Sequence, residues 1–319
     1  MAEIGGDINR ARQVLESGGL VAIPTETVYG LAGNALNGEV VSKIFEAKNR
    51  PSFDPLIVHV SSIEQARAFV EEIPSQAEAL AAKHWPGPLT ILLKRKSIIP
   101  DLVTSGLDTV AIRVPAHELT QNLLSLLDFP LAAPSANPFG YVSPTTAEHV
   151  NQQLGDQLDY ILDGGPCIVG IESTIVSFES ATPRVLRLGG LSIEAIETVI
   201  GRVEINLHSS SKPDAPGMLK SHYAPNTQIL LVEDFHLELI GDTSRIGALV
   251  FNEYIEGLDL ENQFVLSKSG DMNEAARRLF TGLRALDQRE DIDTIVTALV
   301  PNQGLGRAIN DRIKRATAK

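Results

Sequence analysis

The sequence is almost without cysteine. Cys167 is the single one in 319 residues, which excludes intramolecular disulfides and any zinc site built from several cysteines. The seven histidines contain no H-E-x-x-H pattern, so the zinc-protease signature is missing as well. Neither G-x-x-x-x-G-K-[ST] nor G-x-G-x-x-G occurs. If the chain binds a nucleotide, it uses neither of the two usual phosphate-binding fingerprints.

Long apolar runs and an excess of basic residues are also missing. No apolar stretch is long enough to span a bilayer, and the first residues lack the basic and apolar regions of a signal peptide. Together with the lone cysteine, this predicts a cytoplasmic protein without membrane contact. The net charge of −13 argues against a broad nucleic-acid-binding surface. It also makes any local cluster of Arg and Lys more informative, because the background repels anions.

What the chain does have is the composition of a core-forming globular protein, with 43% hydrophobic and 21% charged residues. Its length predicts two domains. A stretch without periodicity and rich in Ser and Pro separates them. We therefore predict a first domain at 1–203, a linker at 204–226 and a second, smaller domain at 227–319.

Helical and strand-like runs alternate in both predicted domains. The first is predicted to be α/β (α+β), with a twisted mixed sheet and covering helices, and the second to be Rossmann-like. Helices are predicted at 7–17, 38–48, 63–70, 77–84, 118–127, 193–200, 272–286 and 305–316. Strands are predicted at 20–24, 56–60, 89–93, 109–114, 174–178, 184–188, 228–232, 246–251 and 292–300.

Two cations stand at the end of the helix predicted over 38–48. Lys48 and Arg50 flank Asn49, and Pro51 follows. Proline pushes the residue before it toward extended geometry, and residues two apart in an extended chain point the same way. The two cations are therefore predicted to face one side, where Arg offers a planar fork and Lys a point charge to phosphate oxygens. A solvated helix C-terminus is the alternative, because cations also suit that end of the dipole.

Three further polar segments lie on or after predicted strands. Polar residues at 25–30 and 134–137 follow apolar runs, and such positions are common ligand sites in α/β sheets. For the first of them, a helix N-cap is an equal alternative. Alternation places Thr109, Ala111 and Arg113 on one face of a strand. A buried Arg there needs an anionic partner, whereas a solvent-facing strand would not require one.

Two glycine-rich segments and the linker complete the candidate regions. Residues 163–170 and 304–306 could approach phosphates, but a simple turn is favoured for both. The linker is less ordinary, because Lys220, His222 and Tyr223 lie between two prolines and are all capable ligand contacts. We predict that the linker acts as a lid that excludes water from a site in the first domain.

Taken in order, these segments resemble the long, two-domain form of the YrdC-type threonylcarbamoyl-AMP synthases. The shared motifs are P-T-E-T-V-Y-G-L at 24–31, K-N-R-P at 48–51, P-L-I-V-H at 55–59, W-P-G-P-L-T at 85–90, R-V-P at 113–115 and P-S-A-N at 134–137. The motifs that resemble the long form are A-P-G-M at 215–218, H-Y-A-P at 222–225 and G-L-G-R-A-I-N-D-R at 304–312. The resemblance covers nearly the whole chain.

The resemblance implies a nucleotidyltransferase that condenses L-threonine, bicarbonate and ATP to threonylcarbamoyl-AMP and releases pyrophosphate. The product would feed the tRNA threonylcarbamoyl-transfer machinery that modifies the adenosine next to the anticodon. Direct binding of tRNA stays an open question. Mg²⁺ bound with ATP is the implied cofactor, and no dedicated protein metal site is expected, because Mg²⁺ is commonly held through substrate phosphates.

The resemblance also implies roles for individual residues. Lys48 and Arg50 would be catalytic through charge neutralisation on the phosphates. The residues implied to bind ATP are Arg50, Asp54, Thr109, Ser135, Asn137, Ser143, Arg187 and Tyr223. The residues implied to bind threonine are Thr27, His59, Arg113, Ala133 and Ser173. The sequence thus predicts a concave, positively charged cavity in the first domain.

Three positions depart from the family pattern. Asp54 stands where an Asn is expected, and Ala215 and Leu219 differ from the commonest linker form. Two other functions stay open. A carbamoyltransferase of the hydrogenase-maturation type is disfavoured by the lone cysteine, and a non-catalytic RNA-binding module is disfavoured by the acidic charge.

Overall fold

The computed structural model describes residues 1–207, 215–216, 218, 222–233, 235 and 245–318. The helices are α1 (Ile8–Glu16), α2 (Gly38–Lys48), α3 (Ile63–Ala66), α4 (Ser75–His84), α5 (Asp101–Thr104), α6 (Glu118–Ser125), α7 (Ala147–Leu154), α8 (Ile193–Ile200), α9 (Met272–Asp287) and α10 (Gly306–Thr317). The strands are β1 (Glu3–Gly5), β2 (Val21–Ile23), β3 (Gly30–Asn34), β4 (Ile57–His59), β5 (Leu89–Lys94), β6 (Thr109–Arg113), β7 (Leu131–Ala132), β8 (Tyr160–Leu162), β9 (Thr174–Ser177), β10 (Arg184–Arg187), β11 (Glu204–Ile205), β12 (Gln228–Leu231), β13 (Ile246–Val250), β14 (Gln263–Val265) and β15 (Thr294–Thr297).

An 11-stranded mixed sheet organises the first part of the chain. Its strand order is β1-β8-β2-β3-β7-β4-β6-β5-β9-β10-β11. Parallel pairs such as β4 with β6 alternate with antiparallel pairs such as β5 with β6. The predicted α/β (α+β) class with a mixed sheet is confirmed. Short, buried strands at the centre of this sheet bring their ends, and therefore their polar side chains, close together.

A four-stranded parallel sheet organises the last part of the chain, in the order β12-β15-β13-β14. Helices α9 and α10 pack against it, and each follows a strand of this sheet. The predicted Rossmann-like second unit is thus confirmed. Among the described residues, no helix has both the length and the apolar character needed to cross a bilayer.

One hydrophobic core runs through both units. Val142 of the first unit, Tyr223 of the linker and Phe280 of α9 belong to the same cluster of buried side chains. The two units approach each other closely at Gly170, where a Cβ atom would lie 2.3 Å from the Cα of Arg277, and where φ is +79°. Only glycine fits this position, because any side chain would collide with backbone and strain φ. The second unit is therefore packed on the first as tightly as a domain core.

Several elements differ from the sequence-based prediction for physical reasons. Strand β3 was not predicted, because Gly30 and Gly33 lower its strand propensity. Gly33 is needed there, since a Cβ would lie 2.7 Å from a methyl group of Val40. The strand predicted to end at 300 stops earlier, because the Asn310 side chain takes both backbone bonds of Val300. Sequence analysis also missed β1, β8, β11, β14, α5 and α7.

Candidate active site

A narrow cavity lies at the point where β4 and β6 end. These strands are parallel, and His59 pairs with Arg113 in their register. Ala133, just after β7, is bonded through its N–H to the carbonyl of Ile57 at 3.0 Å. Ser135 forms an isolated bridge with Gly30. The carboxyl ends of parallel strands meet at one sheet edge, so residues far apart in sequence form one wall here.

The predicted geometry of the K-N-R-P segment is wrong in one respect. Lys48 is the last residue of α2, and Asn49 caps the helix in the left-handed region with φ 50°, so Lys48 and Arg50 do not lie on an extended chain. Both are nevertheless buried. The Lys48 Nζ donates to the backbone carbonyls of Ser135 and Asn137. Lys48 therefore holds the loop after β7 in place beside the cavity.

Two arginines of the cavity are each paired with a buried carboxylate. The Arg50 Nη2 lies 2.9 Å from Asp54 Oδ2 and also donates to the Pro55 carbonyl. The Arg113 Nη2 lies 2.8 Å from Glu26 Oε1. Within the described part of the chain, the Nε of Arg113 has no hydrogen-bond partner, whereas its Nη2 faces Glu26. Arg113 thus has its charge balanced while its other donors remain available to a ligand.

A third arginine, Arg187 at the end of β10, is held by neutral oxygens. Its Nε and Nη2 each donate to Ser173, to the carbonyl and the hydroxyl, both at 3.0 Å. The Ser173 hydroxyl also contacts that of Thr90 at 2.7 Å. The Arg187 Nη1 donates to the Pro216 carbonyl at 3.3 Å. Burial lowers the pKa of Arg187 to about 10, so the side chain stays cationic at neutral pH.

The linker reaches into the cavity. Pro216, His222 and Tyr223 form part of its lining, and they leave about 50 Å³, well below the roughly 300 Å³ at which ligand pockets usually begin. His222 and Tyr223 pack edge-on with ring centroids 4.1 Å apart. Tyr223 has φ 63°, an unusual conformation for a bulky residue. Residues 208–214, 217 and 219–221, which include Leu219 and Lys220, lie outside the described residues.

Burial shifts the pKa values of the titratable groups around the cavity. It lowers the pKa of His59 to about 3, with Arg113 adding to the effect, and it lowers that of His222 to about 3. Both imidazoles are therefore neutral at physiological pH. Burial raises the pKa of Asp54, although Arg50 acts in the other direction. Burial also lowers the pKa of Lys48 well below its ordinary value, and Arg50 reinforces this.

Buried polar atoms without hydrogen-bond partners gather around this cavity. Of the thirteen such atoms within the described residues, seven belong to five residues of this site, namely Glu26, Asp54, Arg113, Asn137 and His222, and the other six lie on six residues that do not line the cavity. Buried polar groups are normally paired, because leaving one unpaired costs about 1–3 kcal/mol. Their concentration at one place is typical of a site that a polar ligand completes.

The structure brings most of the predicted site residues together. The predicted residues that line the cavity are Arg50, His59, Arg113, Ala133, Ser135, Arg187 and Tyr223. The predicted residues that lie behind its wall, bonded to or adjacent to lining residues, are Thr27, Lys48, Asp54, Asn137, Ser143 and Ser173. Thr109 is at the opposite end of β6 from Arg113, roughly 13 Å along the strand, and it does not line the cavity.

Sequence analysis missed two acidic residues of this site. Glu26 balances Arg113, and Glu172 lines the cavity while it accepts a hydrogen bond of 2.6 Å from Ser143. A signal for Glu26 was present, because a buried Arg113 needs an anion and 25–27 already stood out. Glu172 carried only the weaker signal of standing next to Ser173.

No cluster of three or more His, Cys, Asp or Glu side chains that could hold a metal ion occurs among the described residues. Cys167 is buried beneath this site, and burial together with Glu26 raises the pKa of its thiol. A thiol that remains protonated is a poor nucleophile. The site therefore offers cations, hydroxyls and carbonyls, which are groups for binding and orienting an anionic ligand rather than for attacking it.

Comparison with known proteins agrees with this arrangement. Residues 13–189 match the Sua5–YciO–YrdC family, described as telomere recombination, and residues 191–318 match the threonylcarbamoyl-AMP synthase C-terminal domain. The threonylcarbamoyl-AMP synthase of Pyrococcus abyssi is 41% identical, over 97% of this chain and 94% of that protein. The chain belongs to the threonylcarbamoyl-AMP synthase family.

Other members of the threonylcarbamoyl-AMP synthase family support the same assignment. The enzyme of Bacillus subtilis is 39% identical, over 97% of this chain and 92% of its own length. The crystal structure of P. abyssi Sua5 complexed with L-threonine has a TM-score of 0.92 and 38% identity, and it covers 99% of this chain and 97% of that one. The synthase family likeness thus extends over both units of the fold.

Proposed function

We propose that this chain is an L-threonylcarbamoyladenylate synthase. It would condense L-threonine, bicarbonate and ATP to threonylcarbamoyl-AMP with release of pyrophosphate, which makes it a nucleotidyltransferase. The observation that carries the proposal is the convergence of Arg50, Arg113 and Arg187 on one buried cavity in a chain of net charge −13. Such a cluster attracts an anionic substrate against the overall field.

The threonine end of the site is centred on Arg113. Its unbonded donors suit the threonine carboxylate, and Glu26 fixes its orientation at 2.8 Å. His59 is paired beside it in the sheet, and as a neutral imidazole it can exchange hydrogen bonds with the hydroxyl or amine of threonine. Thr27, Ala133 and Ser173 are proposed to complete this end.

The phosphate end is centred on Arg50 and Arg187. Both side chains are buried, and their cationic guanidinium groups lie near the linker. Ser135 lines the cavity between the two ends, and Lys48 fixes the carbonyl of Ser135 and so the position of its hydroxyl. The remaining proposed ATP contacts are Asp54, Thr109, Asn137, Ser143 and Tyr223.

The chemistry suits these groups. The threonine amine attacks the bicarbonate carbon, a C–N bond forms and water leaves, which gives a carbamate. A carbamate oxygen then attacks the α-phosphorus of ATP, and the bond to the β-phosphate oxygen breaks to release pyrophosphate. Phosphoryl-type transfers of this kind rest on positioning and charge neutralisation rather than on a protein nucleophile. Cations at Arg50 and Arg187, with Lys48 behind them, fit that requirement.

Mg²⁺ is proposed to arrive with ATP. The described residues provide no cage of several acidic ligands, so phosphate oxygens would be its main ligands. Asp54 lies behind the cavity wall and is paired with Arg50 at 2.9 Å, so no protein ligand to the metal is proposed. When bound, the metal would share the neutralisation of phosphate charge.

The wider role is also a proposal. The mixed anhydride would be passed to the tRNA threonylcarbamoyl-transfer machinery, and a cytoplasmic location stays a prediction. The match of 191–318 to a synthase C-terminal domain favours a synthase over a hydrogenase-maturation carbamoyltransferase. The buried position of the three arginines disfavours a general RNA-binding surface, which needs exposed cations.

The deciding experiment measures pyrophosphate release from ATP with purified protein. Release should require both threonine and bicarbonate, and mass spectrometry should detect threonylcarbamoyl-AMP. Arg113→Gln with Glu26→Gln removes both charges of the buried pair and should raise KM for threonine by about tenfold or more. ATP cleavage that ignores threonine would rule out the proposed reaction.

A further inference from the structure

The C-terminal unit contributes a buried charge to the wall of the cavity. Arg312 of α10 is fully buried, and its Nε and Nη2 both donate to Glu172 Oε2, at 3.1 and 2.9 Å. Its Nη1 donates to the Leu188 carbonyl. Three bonds from one guanidinium therefore cross from the second unit into the first, and two of them end on Glu172, which lines the cavity.

Glu172 is in turn bonded to the nucleotide side of the site. Its other oxygen, Oε1, accepts from the Ser143 hydroxyl at 2.6 Å. The Arg312 guanidinium also lies over the ring of Tyr223, 5.3 Å from its centroid, and the opposite contact of that ring is Phe280 at 5.5 Å. Arg312 thus touches two cavity residues, Glu172 and Tyr223, and orients a third, Ser143, through Glu172.

A carboxylate in this place is unfavourable for ATP unless something neutralises it. Phosphate oxygens and Glu172 carry the same charge, and like charges placed together in an interface cost several kcal/mol. Arg312 can balance Glu172 without contacting the cavity itself. Removing one partner of a buried ion pair destabilises a protein far more than removing both partners.

We propose that Arg312 is a positioning residue through which the C-terminal domain completes the nucleotide site. It neutralises and orients Glu172, so that Ser143 stays aligned and ATP phosphates meet no unbalanced anion. This inference rests on the proposed function and deepens it. It gives the second domain a direct part in ATP binding.

The groups that face Glu172 support this role. They are Arg312 on α10, Arg187 on β10, Ser143, and His222 and Tyr223 of the linker; the neighbouring Asp311 pairs with Arg312. Burial by itself raises the pKa of Glu172. Arg312, Arg187 and the Ser143 hydroxyl outweigh burial and bring the pKa below its ordinary value. Without Arg312, Glu172 should therefore take up a proton more readily.

The test compares Arg312→Met with the wild type by calorimetric ATP binding and by threonine-dependent pyrophosphate release. At pH 8 the variant should show a rise in Kd and KM for ATP of about tenfold or more, because Glu172 is then an unbalanced anion. At pH 6 the loss should be smaller than at pH 8, because removing Arg312 raises the pKa of Glu172 and a more protonated Glu172 repels phosphate less. KM for threonine should change little.

A second variant separates charge from packing. Arg312→Met combined with Glu172→Gln removes both charges and keeps an acceptor for Ser143, so ATP binding should recover most of the loss and become independent of pH. Arg307→Met is the matched control, because Arg307 of α10 also crosses to the first unit, pairing with Glu194 at 3.0 Å, but both side chains are partly exposed. It should leave ATP binding unchanged.

Three outcomes would overturn the inference. The first is a loss of binding that is the same at pH 6 and pH 8, is not rescued by the double variant, and affects ATP and threonine equally. Arg312 would then act only on stability. Another is unaltered ATP binding in Arg312→Met. The third is a wild type that does not bind ATP. A wild type that binds ATP but releases no pyrophosphate refutes the synthase proposal alone, because the binding arm still tests Arg312.

Should Arg312→Met not fold, Arg312→Lys takes its place. Lysine keeps the charge but cannot make two bonds to one carboxylate oxygen while also reaching the Leu188 carbonyl. The expected result is a rise in KM for ATP of about threefold to tenfold, with no recovery at pH 6 because Glu172 stays balanced. An unchanged KM for ATP would contradict the positioning role.

Discussion

At the scale of single residues, most charges of this site have a partner before any substrate arrives. Arg50 has Asp54 and Arg113 has Glu26, each within 2.9 Å. Such pairing makes a buried cation tolerable in the empty protein. A substrate anion that binds to Arg50 or Arg113 would therefore lie next to Asp54 or Glu26, and these carboxylates would affect the affinity for that anion.

Arg50→Ala should reduce the rate of pyrophosphate release by about 10²–10³, by analogy with the removal of one preorganised donor. It should also lower stability by about 3–5 kcal/mol, because Asp54 is left as an unpaired buried carboxylate. Activity assays and urea unfolding measure the two effects separately.

Arg50→Ala combined with Asp54→Asn is the control that separates them. Stability should largely return, since no buried charge is left alone, while activity should stay low. Arg10→Ala removes a surface arginine whose pairing with Glu3 is exposed, and it should change neither quantity. If the double variant recovered wild-type rates, Arg50 would not act on the phosphates.

The position of a residue could be predicted from the sequence only when the pattern that indicates it lies in its own segment of the chain. Alternation along β6 correctly placed Arg113 opposite Val110 and Ile112, because side-chain direction in a strand follows from sequence alone. The contact between Arg312 and Glu172 could not be predicted, since 140 residues separate them and no pattern in either segment specifies the partner. The roles implied for individual residues stay predictions.

At the scale of elements, the linker is the part whose position most affects function. Ala215 and Met218 are buried against Ile57 and Ala111 on the face of the large sheet. Their neighbour Pro216 lines the cavity together with His222 and Tyr223, and the space left is about 50 Å³, which is too small for a nucleotide. If ATP binds in this cavity, as proposed above, this segment has to move aside to admit it.

Ala215→Cys should report that withdrawal through thiol alkylation. Ala215 is fully buried, so labelling should be slow in the free protein and at least about tenfold faster with ATP, if opening is what exposes the thiol. The native Cys167 is buried and gives little background. Gln228→Cys, at an exposed position in β12, should label quickly under all conditions. Equal labelling of Ala215→Cys with and without ATP would show that the linker stays in place.

Gly170→Ala should weaken the contact between the two units. Positive φ alone costs an L-residue about 1–2 kcal/mol, and the collision with the Arg277 backbone should add about 1–3 kcal/mol. Gly106→Ala is the control, because its φ is +79° but no atom lies within 4 Å of the added Cβ. Urea unfolding should show a clearly larger loss for the first variant; equal losses would mean that α9 shifts without cost.

At the scale of the whole molecule, sequence analysis predicted the two units but not how closely they pack. The hydrophobic period of a helix or strand depends only on neighbouring residues. This period correctly predicted the parallel sheet of the second unit. The shared core of Val142, Tyr223 and Phe280 depends on contacts between distant segments, which periodicity does not describe. The two units are therefore expected to unfold together.

Acidification should destabilise the whole molecule below about pH 6.5. His59 and His222 have pKa values of about 3 in the folded protein, against about 6.5 when unfolded. The unfolded chain thus binds more protons between those values, and each histidine lowers the free energy of unfolding by up to about 1.4 kcal/mol per pH unit as pH falls. Glu172 has a lowered pKa, so its contribution is lost only below about pH 4.5.

Urea unfolding at pH 7.5 and pH 5.5 isolates the histidines. His59→Gln and His222→Gln should each lower stability at pH 7.5 yet show a flatter dependence on pH than the wild type. Parallel curves for wild type and both variants would mean that neither imidazole is held neutral.

The bond between Arg312 and Glu172 also has a consequence for the order of events during synthesis. Glu172 leaves the ribosome 140 residues ahead of Arg312, which at about 5–20 residues per second is a delay of roughly 7–28 s. Throughout that interval the large sheet can fold, but the cavity wall contains an anion without its counter-charge. If the cavity is the proposed ATP site, a nascent chain should therefore bind ATP poorly until α10 has been made and has docked.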